Sequence, residues 1–162
     1  MNCEQRNIYQ SIIGSVTYNK GGFFFVYGHG GIDKTYLWRT LICRLRSEWK
    51  IAIAVVSSGI TSLLLLGGRT THLRFKILIN VLDSSTCGFK QGSNLVELMT
   101  RACLIIWDEA PMAHQNCFKG VNCSFRDILR FSDPESGDKL FGGKTVVLCA
   151  DFQQILLHFL SF

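Results

Sequence analysis

Four short apolar runs constrain the fold of this chain of 162 residues more than any other feature. They cover residues 23–27, 51–56, 103–107 and 145–150. Runs of five or six apolar residues without a helical period are typical of strands that are covered on both faces. Segments with helical spacing separate them, as in Leu37, Leu41 and Leu45. Alternating strands and helices predict an α/β domain with a central, mostly parallel sheet.

The segments between the apolar runs predict the helices and loops. Asn2 is suited to cap a first helix that has Gln5 in its first turn and ends at 20–22. Further helices are expected at 34–47, 57–66, 95–101 and 114–130, the last softened at Gly120. We expect a turn at 67–71, no regular period from there to about residue 93, and a polar loop at 133–143.

Composition indicates one globular domain over residues 1–162. Hydrophobic residues make up 48% of the chain, enough for a core, and the net charge of +5 is compatible with a nucleic-acid partner. Seven cysteines without a CxxC pair favour reduced, buried thiols over a zinc site. There is no basic-then-apolar leader, and the apolar runs are too short to span a bilayer, so we expect no membrane association.

Residues 28–35 read GHGGIDKT, close to the phosphate-binding pattern Gly-x-x-x-x-Gly-Lys-Ser/Thr between a strand and a helix. Gly28, Lys34 and Thr35 match the pattern, but Asp33 stands where glycine is expected. Backbone N–H groups of such a loop hold phosphates, while Lys34 would reach the outer phosphates and the Thr35 hydroxyl would join a magnesium shell. The alternative is a glycine-rich turn that binds no ligand.

An acid pair follows the third apolar run, in LIIWDEA at 104–110. Asp108 would hold Mg²⁺ through water, and Glu109 would polarise an attacking water. By itself the pair is more typical of an exposed acidic turn. Its position after the phosphate-loop pattern, in the expected order of strands and helices, favours a nucleotide site.

A third polar group, ADFQQ at 150–154, directly follows the fourth run. Its acid and glutamine are suited to sense a terminal phosphate, although a strand-end turn is the better explanation of the aspartate when this group is taken alone. In the observed order, the three motifs resemble those of plant-type DNA helicases of the petite-integration-frequency family, which are related to the helicases of rolling-circle transposons. The resemblance also includes NCEQRNIY, SSGITSLLLLGGRTTH and RDILRFSDPESGDKLFGGKTVVL.

The resemblance implies a RecA-like P-loop NTPase fold, a three-layer sandwich that forms the first of two motor domains. It implies ATP hydrolysis with Mg²⁺, coupled to 5′-to-3′ unwinding of DNA, and a single-stranded DNA partner. It further implies roles in DNA repair, recombination and telomere maintenance, a nuclear location with the mitochondrion as the other option, and a monomeric state.

The same resemblance assigns roles to individual residues. Gln5 would contact adenine. Residues that hold phosphate would be Gly28, Gly30, Gly31, Lys34 and Thr35. Metal ligands would be Thr35 and Asp108, and catalytic residues Lys34, Glu109 and Gln154. The resemblance places residues 57–60 and 67–72 near the DNA strand. Phosphate contact and surface solvation are equally expected for Arg69, His72 and Arg74, whereas Phe75 is better suited to the core than to base stacking.

Asp33 is the main departure from the family pattern. At about 5 Å and an effective dielectric constant near 20, its carboxylate repels each phosphate charge by about 3 kcal/mol. Ala150 and Gln153 also depart from the family, and the chain stops at Phe162 before a second motor domain. The alternative function is therefore an impaired, truncated remnant that at most binds nucleotide or single-stranded DNA. A small nucleotide kinase is disfavoured because no lid or acceptor site is recognisable.

Overall fold

A five-stranded sheet forms the centre of the protein in the computed structural model, which describes residues 1–28, 34–59, 67–77 and 87–151. The strands are β1 (Gly22–Gly28), β2 (Ile51–Val56), β3 (Arg69–Thr70), β4 (Ala102–Asp108) and β5 (Thr145–Asp151). They lie in the order β1-β5-β4-β2-β3, and all neighbouring pairs are parallel. The predicted α/β fold with a parallel sheet is confirmed.

Helices cover both faces of this sheet. They are α1 (Cys3–Thr17), α2 (Lys34–Ser47), α3 (Thr71–Phe75), α4 (Asn94–Arg101) and α5 (Gln115–Leu129). Successive strand residues point to opposite faces, so Ala54 and Val56 pack with α1 and α2. Ile53 and Val55 pack with α3, α4 and α5 on the other side. The result is the three-layer arrangement that the sequence predicted.

The first two helices begin as their sequences predict. Asn2 accepts a hydrogen bond from the Gln5 backbone N–H at 2.8 Å, and its own backbone N–H donates to Gln5 Oε1 at 3.0 Å. This reciprocal pair is a capping box, which satisfies two backbone donors at the helix start. Helix α2 covers the residues predicted for it, and Arg44 and Arg46 in its last turn favourably face the negative end of the helix dipole.

Strand β1 corrects one prediction, because it is buried on one face only. Phe24 and Val26 pack toward α1 and α2, whereas Phe23, Phe25 and Tyr27 are 48%, 55% and 43% exposed. The core on their side contains residues of β2, β4 and β5 but none of β1. A wholly apolar run therefore marks an edge strand here, with Phe23 stacked on Phe141 at 5.8 Å.

Strand β3 lies where the sequence predicted only a turn. Arg69 and Thr70 pair with Val55 and Val56, and α3 follows at once. The Thr71 hydroxyl donates to the Val56 carbonyl at 2.9 Å in the buried interior. A strand of two residues is too short to show the alternating pattern of a longer strand. It is recognised only by its pairing with β2.

The remaining elements follow the predictions with smaller changes. Helix α5 is capped by His114 and continues through Gly120 without the expected break, because that glycine is buried within the helix. The polar loop contains two short 3₁₀ turns, Pro134–Gly137 and Leu140–Gly143. Most of the helix predicted at 57–66 lies outside the described residues. In the described part of the chain, no helix is both long and apolar enough to cross a membrane.

Candidate nucleotide site

The carboxyl ends of the parallel strands place the predicted motifs along one edge of the sheet. Gly28 at the end of β1 is paired with Asp151 at the end of β5, and Asp108 at the end of β4 is paired with Val56. Strand β5 lies between β1 and β4. The phosphate-loop strand and the acid strand are therefore separated by one strand only, at the edge where open α/β sheets bind ligands.

Lys34 is the first residue of α2, and its ammonium group reaches across this edge. Its Nζ donates a hydrogen bond to the Ala150 carbonyl at 3.2 Å, near the end of β5. Thr35 is the next residue and is half-buried. The start of α2 offers the positive end of a helix dipole at the same place. The described end of the loop thus combines an ammonium group with a helix N-terminus, two features that favour phosphate binding.

The acid pair forms a tight turn, which we call the acid turn and define as residues 108–112. Asp108 Oδ1 accepts the Glu109 backbone N–H at 3.0 Å. Glu109 has left-handed backbone angles, φ 52° and ψ 35°, and its carbonyl accepts from Met112 N–H at 3.0 Å. A side-chain-bearing residue in this region stores about 1–3 kcal/mol of strain, a cost that proteins accept mainly at functional sites.

The pKa of the Cys149 thiol on β5 is affected by charged groups from both halves of the site. Burial raises the pKa of the Cys149 thiol well above its usual value, the Asp108 carboxylate raises that pKa further, and the Lys34 ammonium lowers it. The strand geometry agrees: Asp108 directly follows Trp107, which is paired with Leu148 on β5, and Lys34 contacts the Ala150 carbonyl two residues further along the same strand. The structure therefore places Lys34 and Asp108 at the ends of adjacent strands, and their roles toward a nucleotide stay predictions.

The available ligand atoms suit nucleotide-bound magnesium. Among the described residues, no three His, Cys, Asp or Glu side chains gather to hold a metal ion by themselves. Mg²⁺ usually keeps several waters and binds one or two carboxylates together with substrate phosphates. The Asp108 carboxylate and the Thr35 hydroxyl are oxygen ligands of this kind, so these residues fit Mg²⁺ delivered with a nucleotide.

Other predicted site residues either have another role in the structure or lie outside the described residues. Gln5 is buried and its Oε1 is bound within the capping box, so the structure gives it a structural role, and its adenine contact stays a prediction. Gly30, Gly31, Asp33 and Gln154 lie outside the described residues, as do residue 60 and Gln153.

The basic residues considered for DNA contact lie on β3 and α3, with Arg69 on the strand and His72 and Arg74 on the helix. The Arg74 guanidinium donates from Nη2 to the Gly67 carbonyl at 3.1 Å. Burial lowers the pKa of Arg74, and the nearby Arg69 charge lowers it further. Phe75 is fully buried, in edge contact with Phe125 at 6.0 Å. Its predicted core role is confirmed.

Sequence reasoning missed the contribution of Ser57 and Ser58. The Ser58 backbone N–H donates to Glu109 Oε2 at 3.2 Å, and the Trp107 indole N–H donates to the Ser57 hydroxyl at 3.2 Å. Both serines were expected only to open a helix near DNA. A contact made by a backbone amide depends on strand pairing, so residue identity contains no signal for it.

Comparison with known proteins decides the family. The model of the PIF1-like helicase family matches residues 1–157. The chain belongs to the PIF1-like helicase family. It is 27% identical over 141 residues to the ATP-dependent DNA helicase PIF4 of Trypanosoma brucei brucei, covering 84% of this chain and 16% of that protein. It is 30% identical over 138 residues to the ATP-dependent DNA helicase Pif1 of Campylobacter jejuni, covering 81% of this chain and 28% of that protein.

Solved structures agree with this assignment. A Pif1 structure described for DNA unwinding at forked double-stranded DNA matches 93% of this chain and 33% of that chain, with 25% identity and a TM-score of 0.73. Pif1 from Bacteroides, in complex with ADP-AlF3 and single-stranded DNA, has the same fold with 24% identity, covering 89% and 31% of the two chains, and a TM-score of 0.69. The chain thus spans between about a sixth and a third of the length of these relatives.

Proposed function

We propose that this chain is the nucleotide-binding motor domain of an ATP-dependent DNA helicase. The observation that carries the proposal is the position of Lys34 at the end of β5, with its Nζ 3.2 Å from the Ala150 carbonyl, next to the acid turn at the end of the neighbouring strand β4. Family membership supports the choice of ATP. The named relatives are ATP-dependent DNA helicases, and the Bacteroides relative binds ADP-AlF3.

The proposed chemistry divides the work among six side chains. Lys34 neutralises charge on the outer phosphates, and Thr35 and Asp108 hold the Mg²⁺ that accompanies the nucleotide. When bound, this ion neutralises charge that develops on the phosphate oxygens. Glu109 orients and polarises the water that attacks the terminal phosphate. Gln154 is proposed to sense that phosphate, and Gln5 to contact the base.

The proposed partner is single-stranded DNA. The Bacteroides relative was solved with single-stranded DNA, and this chain has a net charge of +5. Contact through Arg69, His72 and Arg74 is part of the proposal, as are 5′-to-3′ direction, action as a monomer and a nuclear or mitochondrial location. Roles in repair, recombination and telomere maintenance are likewise proposed from the family resemblance. The relatives are at least about three times as long, so unwinding is proposed for a protein of that architecture.

A second candidate is an impaired domain that binds nucleotide weakly and does not turn it over. Asp33 favours it, because a carboxylate among phosphate groups opposes binding by about 3 kcal/mol for each charge pair. Glycine at this position also lets the loop backbone approach the ligand more closely. The two candidates share a fold and a site but differ in turnover.

A DNA-stimulated ATPase assay tests the proposal. We expect slow hydrolysis by the natural chain with Mg²⁺ and oligo(dT), and faster hydrolysis by Asp33→Gly. In that background, Lys34→Ala or Glu109→Gln returns the rate to background, a loss of about a hundredfold or more. Lys20→Ala and Glu48→Gln, which change the same residue types outside the site, leave the rate unchanged. Absence of turnover in both the natural chain and Asp33→Gly would contradict the helicase proposal and favour the impaired domain.

A further inference from the structure

Ser57 and Ser58, directly after β2, make three hydrogen bonds with the end of β4 and the acid turn. The Ser57 backbone N–H donates to the Asp108 carbonyl at 3.3 Å. The Trp107 indole N–H donates to the Ser57 hydroxyl at 3.2 Å. The Ser58 backbone N–H donates to Glu109 Oε2 at 3.2 Å. Three hydrogen bonds thus join this segment to three consecutive residues of the neighbouring strand and its turn.

The backbone of Glu109 is fixed separately from its carboxylate. Its N–H is bound to Asp108 Oδ1 at 3.0 Å, and its carbonyl accepts from Met112 N–H at 3.0 Å. These contacts hold the left-handed conformation of the turn. The contact from Ser58 comes instead from another strand, and it reaches the end of a side chain with three rotatable bonds. Orientation of the carboxylate therefore depends on the segment after β2.

We propose that Ser57 and Ser58 are positioning residues for Glu109. The Ser58 amide fixes the direction of the carboxylate, and Ser57 fixes the Ser58 amide by its two bonds to β4. A hydrogen bond from an amide to a carboxylate is charge-assisted and stronger than a neutral one. A group that activates water must stand within hydrogen-bond reach of it, and a displacement of about 1 Å costs about a hundredfold in rate. The catalytic part of this inference rests on the proposed function, whereas the contact itself does not.

Amide hydrogen exchange tests the contact without any need for turnover. In the ¹⁵N-labelled full chain, Glu109→Ala removes the acceptor, and we expect the Ser58 N–H to exchange about tenfold faster or more. Glu109→Gln keeps an acceptor oxygen in the same place and should retain most of the protection. Equal exchange in all three proteins would overturn the proposal.

Steady-state kinetics test the catalytic part. In the Asp33→Gly background, Ser57→Ala should lower kcat about tenfold with KM for ATP unchanged, because it loosens Glu109 and leaves phosphate binding intact. Ser57→Thr keeps the hydroxyl that accepts from Trp107 and should restore kcat. The Trp107 indole N–H resonance should shift in Ser57→Ala and stay near its original position in Ser57→Thr.

The two parts of the inference have separate outcomes. A raised KM with unchanged kcat in Ser57→Ala would overturn positioning of Glu109. Absence of turnover in Asp33→Gly would be a failure of the proposed function, and the exchange of the Ser58 amide would still decide whether the carboxylate is held as described.

Discussion

In the proposed function, the acid turn and the phosphate loop are the two halves of one site. The sequence of the acid turn matches the family pattern, whereas that of the loop departs from it. Asp108 and Glu109 retain both acids, on a turn fixed by hydrogen bonds from its own residues and from the segment after β2. Between Gly28 and Lys34, the loop contains an aspartate in place of glycine. In the proposed function, the retained half provides the catalytic acids. The altered half is expected to determine how strongly the nucleotide binds.

Two clusters of buried side chains support the described parts of the site. Trp107 packs on Phe118 at 4.3 Å and on Phe75 at 5.8 Å, directly before the acid turn. Leu37, Trp38 and Leu41 anchor α2 from the other side of the sheet. The two clusters thus support the acid turn and α2 from opposite faces of the sheet.

The largest effect that we expect is slow thiol labelling of Cys149, which lies on β5 between the strands that lead to the two halves. It is fully buried with a raised pKa, whereas Cys43 is exposed. A thiol reagent attacks the thiolate, so labelling of Cys149 requires opening of the core. We expect it to react about a thousandfold more slowly than Cys43 or more, as measured by peptide mass spectrometry over time. Similar rates for both would contradict the burial of Cys149 in the core beneath the site.

Loss of Trp107 should remove the support of the acid turn. Trp107→Ala is expected to lower the free energy of unfolding by about 3–5 kcal/mol, since a large buried side chain leaves a cavity. Trp49→Ala is the matched control, because Trp49 is 95% exposed and should change stability by about 0.5 kcal/mol or less. Urea denaturation followed by circular dichroism measures both. A small effect at Trp107 would show that the acid turn does not depend on this core.

The smallest effect separates the structural role of Gln5 from its predicted role toward adenine. Asn2→Ala and Gln5→Ala both break the capping box, so each should cost about 1 kcal/mol of stability. If Gln5 contacts the base, only Gln5→Ala weakens the binding of an adenine nucleotide to the Asp33→Gly protein. Thermal denaturation and nucleotide titration give the two quantities. Equal nucleotide affinities in both variants would leave Gln5 with the cap alone.

The sequence was most informative where local chemistry determines structure. Helix α2 and strand β2 begin and end at the predicted residues, because a buried helical stripe and a buried strand have distinct periods. The capping box was visible from Asn2 and Gln5. The alignment of Lys34 with Asp108 also followed from the sequence, since carboxyl ends of parallel strands share one edge.

Features that depend on distant neighbours were not predictable in the same way. The exposed side of β1 results from its place at the sheet edge, which an apolar run does not reveal. Strand β3 exists only through its pairing with Val55 and Val56. The bond from Ser58 to Glu109 uses a backbone group that every residue except proline has. In each case the decisive partner is remote in sequence.

Nucleotide binding at equilibrium tests the central claim most directly. The claim is that the site combines an intact acid turn with a phosphate loop in which Asp33 weakens binding. A fluorescent ATP analogue with Mg²⁺ would be titrated into the natural chain and into Asp33→Gly, with Lys34→Ala added to Asp33→Gly as the control. We expect Asp33→Gly to bind up to about a hundredfold more tightly, which corresponds to about 3 kcal/mol, and Lys34→Ala to remove most of that gain. Micromolar binding by the natural chain, unchanged in Asp33→Gly, would contradict the account.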